Sequence, residues 1–124
     1  VTAPYPRALQ GAQHLGRRLA ELTEAIETLH QAELNAVTAR HEARLREWKT
    51  FLATEGAMEL RKIRARHDAA ELMFAADVAE VTARNCAEIV REKRQRVDVG
   101  RTYSADMRAE AQVVGRYGPG DGTP

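Results

Sequence analysis

The stretch Leu45-Arg46-Glu47-Trp48-Lys49-Thr50-Phe51-Leu52-Ala53-Thr54-Glu55-Gly56-Ala57-Met58-Glu59-Leu60-Arg61-Lys62-Ile63 decides the fold. Upstream of it, Leu34, Val37, His41, Leu45, Trp48 and Leu52 recur at helical spacing. They continue a stripe begun by Leu15, Leu19, Leu22 and Ile26, with one slip near Leu29 and His30 that adds a step without breaking the helix. The phase is lost at Thr54-Glu55-Gly56, where Thr54 is read as the N-cap of a second helix and Glu55 falls in its first turn. No proline stands between Arg7 and Val99, so both flanks are predicted to be long helices that meet at a tip here.

The second helix is expected from about Ala57 to about Val97, each arm being roughly 60 Å long at ~1.5 Å per residue. It carries two apolar stripes. One passes through Ile63, His67, Ala70, Phe74, Val78 and Val81; the other through Leu72, Ala76, Ala79, Ala83, Cys86 and Val90. One antiparallel partner helix covers only one stripe. The small-residue stripe, which permits close helix approach, is assigned to a contact with another copy of the chain. Val99-Gly100 is read as a helix end or kink, Ser104 as the cap of a short C-terminal helix through Ala111, and the Gly/Pro-rich residues 115–124 as an extended tail. The predicted fold is all-α: a long antiparallel, coiled-coil-like hairpin over residues 1–114 that oligomerises, because a two-helix rod encloses little core.

Composition narrows the function classes. The chain has 124 residues, 44% hydrophobic, 30% charged and 5% aromatic, which suits one small helical domain better than a sandwich or barrel. No run is long and apolar enough for a membrane span and no leader pattern opens the sequence, so a cytoplasmic place is expected. Cys86 is the single cysteine; its alternation with Ala79, Ala83 and Val90 reads as a small buried hydrophobe, the alternative being a reactive thiol. There is no Gly-rich phosphate loop, nucleophile elbow, paired cysteines or His-Glu-x-x-His, so neither enzymatic activity nor a cofactor nor a metal is expected. His41 and His67 stand at equal distances from Thr54 and could meet across the arms, as polar seam residues that set register or as metal ligands. Trp48 reads as a core anchor, with base stacking as the other use.

Net charge is +1, yet residues 40–66 carry +4, residues 67–83 carry −4 and residues 84–108 carry +3. An antiparallel hairpin brings Arg44 and Lys49 together with Arg61, Lys62, Arg64 and Arg66 at the tip, a candidate footprint for single-stranded nucleic acid. The other reading is a solvated face, or pairing with the acidic block of a neighbouring chain.

Glu47-Trp48-Lys49, Glu59-Leu60-Arg61-Lys62-Ile63-Arg64 and Arg101-Thr102-Tyr103-Ser104-Ala105-Asp106-Met107-Arg108-Ala109-Glu110 resemble small helical proteins of tailed phages. In size and layout the chain is similar to the UvsY-type recombination mediators. That resemblance, over residues 45–112, implies an all-helical closed oligomer that binds single-stranded DNA and helps load a recombinase in the host cytoplasm. It nominates Lys62, Arg64 and Arg66 for DNA contact and the segment around Met107 and Arg108 for assembly. The Gly/Pro-rich end and the scarcity of aromatics depart from the family pattern, at the points that bear on oligomer size and on a recombinase or other phage partner. The rival expectation is a structural or adaptor coiled coil, a virion or assembly component docking on other proteins through its apolar faces.

Overall fold

The computed structural model describes residues 6–117, and side chains from Gln10 to Gly115. Of the extended tail expected over residues 115–124, residues 115–117 are helical instead, and residues 118–124 lie outside the described residues. Two helices account for the described chain, α1 (Pro6–Ala53) and α2 (Met58–Tyr117), packed against each other, and no strand occurs among the described residues. α1 opens at a proline, where the missing N–H would have had no intrahelical acceptor.

The turn occupies residues 54–57 as expected, but its chemistry differs. Thr54 Oγ1 donates back to the Thr50 carbonyl at 2.7 Å, so this threonine finishes α1 and does not cap α2. The first carbonyl of the new helix to be engaged is that of Ala57, which accepts from the Arg61 N–H at 3.1 Å. Gly56 has φ +116°, a left-handed conformation that only glycine adopts without strain, and this sets the reversal. Arg61 donates from Nε (3.2 Å) and Nη2 (3.1 Å) to the Phe51 carbonyl and lies 4.3 Å over the Phe51 ring. α1 has no basic residue in its own last turn, so a cation from α2 satisfies one of its orphan carbonyls.

The described residues divide into two compact units: Ile26–Ile89, and residues 6–25 with residues 90–117. In the first, the buried seam is made of alanine alone: Ala32, Ala36 and Ala43 on α1, Ala65, Ala69 and Ala76 on α2. With only a methyl at each position the helices approach closely. Such a seam gains packing more than transfer free energy, since each alanine removes little apolar area from water. Ion pairs flank it. Arg40 bridges Asp77 (2.6 Å) and Glu80 (2.9 Å), and Arg46 bonds Asp68 at 2.7 Å while the Thr50 hydroxyl donates to the same carboxylate. The Arg46 bond, and then the Thr50 bond, hold Asp68 below the usual carboxylate range.

In the second unit Val90 and Val97 are buried together with two glycines, Gly11 and Gly100. A Cβ on Gly100 would meet Arg18 Nη1 at 3.2 Å and Leu15 Cδ1 at 3.4 Å; one on Gly11 would meet the Tyr103 ring at 3.3 Å. Arg18 uses the space over Gly100 to donate to the Arg96 carbonyl at 3.1 Å. Gly100 therefore neither ends nor caps a helix. α2 runs through it to Tyr117, and Ser104 lies inside α2 instead of opening a separate C-terminal helix. The cost of a mid-helix glycine, about 1 kcal/mol relative to alanine, is offset here by the close approach it allows.

Candidate functional site

The two stripes of α2 exchange the places expected of them. Ala76 and Val90, assigned from sequence to a contact between copies, are buried within the single chain at 0% and 4% exposure. Ala79, Ala83 and Cys86 are half-buried, and Leu72 is exposed to 37%. The other stripe, expected to close the hairpin, is open: Ile63, Phe74, Val78 and Val81 are all exposed, Phe74 to 70%. α1 repeats the inversion. Leu34, Val37, Leu45, Trp48 and Leu52 are exposed, Trp48 to 61%, so the tryptophan is not a core anchor. His41 and His67 are exposed as well and do not enter the seam. Met107 is half-buried and Arg108 exposed on the later part of α2.

The physical reason lies in volume. The seam positions of Ile26–Ile89 are filled by alanines whose hydropathy is weak, and the larger apolar side chains then have no room between closely spaced helices. They point away. Each helix consequently shows an apolar outer face.

Beside the turn, Arg44, Glu47, Trp48 and Phe51 of α1 and Lys62, Ala65 and Arg66 of α2 line a solvent-open hollow of about 440 Å³. The Trp48 and Phe51 rings meet edge to face at 6.0 Å. Three of the six cations nominated from sequence thus converge on one concavity with an exposed indole. Arg61 does not join them, because its guanidinium is engaged on Phe51. Lys49 and Arg64 are exposed but do not line the hollow. Arg44, Lys49, Arg64 and Arg66 make no ion pair among the described residues, and Lys62 reaches Glu59 only at 3.9 Å. Phe51 was not singled out from sequence; its position three residues after Trp48 is the signal that places both rings together.

The acidic block of residues 67–83 is largely engaged inside the chain. Asp68 pairs with Arg46, and Asp77 and Glu80 with Arg40, leaving Glu71 as its one carboxylate without an ion pair. No group of three or more His, Cys, Asp or Glu side chains able to hold a metal occurs among the described residues. No helix among them is long and apolar enough to cross a membrane.

No family model matches the chain, and neither the curated proteins nor the solved structures contain a match to it.

Proposed function

We propose that this chain is a non-enzymatic helical assembly protein whose copies associate through their outer apolar faces. The observation that carries this reading is the exposure of large side chains in register along both helices of Ile26–Ile89: Leu34, Val37 and Leu52 on α1, Ile63, Phe74 and Val78 on α2. Contiguous exposed apolar stripes of this kind mark protein interaction surfaces. The internal engagement of the acidic block argues against assembly by charge pairing through it, so the oligomer is expected to persist at high salt. The test is analytical ultracentrifugation of the chain and of a Phe74→Glu/Val78→Glu variant. A loss of assembly with helical content unchanged supports the reading. A native chain that sediments as a monomer at every concentration removes it.

A second reading, single-stranded nucleic acid as the partner, rests on the hollow beside the turn. Trp48 offers a stacking face, and Arg44, Lys62 and Arg66 offer phosphate contacts around it, the combination that sequence-tolerant single-strand binders use. The resemblance to phage recombination mediators points the same way and would make the chain a recombination accessory in the host cytoplasm. Fluorescence anisotropy of a labelled single-stranded oligonucleotide at two salt concentrations tests it. Binding that weakens with salt and is lost in Arg44→Glu/Lys62→Glu/Arg66→Glu supports this use; no binding at low salt discards it.

A further inference from the structure

The six buried alanines of Ile26–Ile89 lie on two antiparallel helices, yet they share a phase. At about 100° per residue, Ala32, Ala36, Ala43, Ala65, Ala69 and Ala76 would all fall within an arc of about 100° on one uninterrupted helix. The register passes through the turn itself: the half-buried Thr54 and Arg61 lie seven residues apart, two helical turns, on the same face. A hairpin does not require this, since each arm can choose its own seam phase.

The turn is built from residues that tolerate a helix. Thr54, Glu55 and Ala57 have no left-handed requirement, and Gly56 can leave φ +116° for helical values without steric cost. No proline blocks the passage.

We infer that residues 54–57 are a hinge, and that two copies of this chain can exchange their α2 arms by straightening it. In the exchanged dimer the alanine seam re-forms between copies with the same residues opposed. Arg40 then bridges Asp77 and Glu80 of the second copy, and Arg46 its Asp68. What is given up is local to the turn: the Arg61 bonds to the Phe51 carbonyl, which a continuous helix would pair with the Glu55 N–H instead. Exchange of identical elements is a low-cost route to a dimer because nearly every contact is conserved. The occupant of the seam is thus a second copy, whatever the outer faces bind.

Cross-linking decides the matter. Arg46→Cys and Asp68→Cys are placed in a Cys86→Ala background and joined with a short bis-maleimide after refolding at low and high protein concentration. Exchange predicts intrachain links at low concentration and covalent dimers at high concentration. Gly56→Ala should raise the association constant of the exchanged dimer on the order of a hundredfold, because the left-handed penalty on an L residue is relieved in both chains. Inserting four glycines in the turn should return the links to single chains. Links confined to single chains at every concentration, with the native turn and with Gly56→Ala, overturn the proposal. Assembly through the outer faces alone gives that same intrachain result whatever the oligomer size, so the two proposals fail separately. Circular dichroism of each variant confirms that the helices persist.

Discussion

Arg61 shows how a residue selected as a cation for one purpose can be engaged in another. Its guanidinium closes the end of α1 and covers the Phe51 ring, so Arg61→Ala should destabilise the hairpin by about 1 kcal/mol in urea titrations while leaving any nucleic-acid affinity little changed. Ala43 makes the opposite point. It is fully buried opposite another helix, and Ala43→Leu should cost about 1–3 kcal/mol by forcing the helices apart, read as a lowered melting temperature. Asp68 contributes a pH dependence. Because Arg46 and then Thr50 lower its folded pKa below the unfolded value, its contribution is complete above the unfolded pKa and is lost as pH falls through the folded one. Melting temperature measured between about pH 5 and pH 2 should therefore fall less steeply in Asp68→Asn than in the native chain.

At the scale of the helices, glycines separate two kinds of position. Gly16 has nothing within 4 Å of a would-be Cβ, so Gly16→Ala should stabilise α1 by about 0.5–1 kcal/mol. Gly100→Ala gains the same propensity but must displace Arg18 and crowd Leu15, and should stabilise clearly less; thermal melts of the two variants side by side measure the difference. The sequence made the helices and the turn legible, because the absence of proline and the loss of phase at Thr54-Glu55-Gly56 act locally. It did not reveal which stripe faces which. Hydropathy weights Leu34, Trp48 and Phe74 heavily and alanine lightly, whereas close packing selects for small volume, so the strongest stripes turned out to be the outer ones. Val99-Gly100 misled for a related reason: a glycine that opens space for Leu15 and Arg18 looks, in one dimension, like a glycine that ends a helix. At the tip the gathering of Arg44, Lys62 and Arg66 was legible from antiparallel geometry alone. The removal of Arg61 from that group depended on a backbone carbonyl that no side-chain pattern reports.

At the scale of the molecule, two kinds of surface respond to salt in opposite senses. Oligonucleotide affinity at the hollow should drop as salt rises, by counterion release, while association through Leu34, Val37, Phe74 and Val78 should hold or tighten. Sedimentation and anisotropy on the same samples would separate the two. The alanine seam has a thermal counterpart. Ordinary domains absorb about 12–15 cal/mol/K per residue on unfolding, in proportion to the apolar surface they uncover. In Ile26–Ile89, where the buried seam is methyl groups and Leu34, Val37, Leu45, Leu52, Phe74 and Val78 are already exposed, unfolding uncovers less, so the heat-capacity increment of a single hairpin is lowered and its stability curve is shallower and broader. Calorimetry across a concentration series would then register the covering of the outer stripes as a rise in that increment toward the ordinary range.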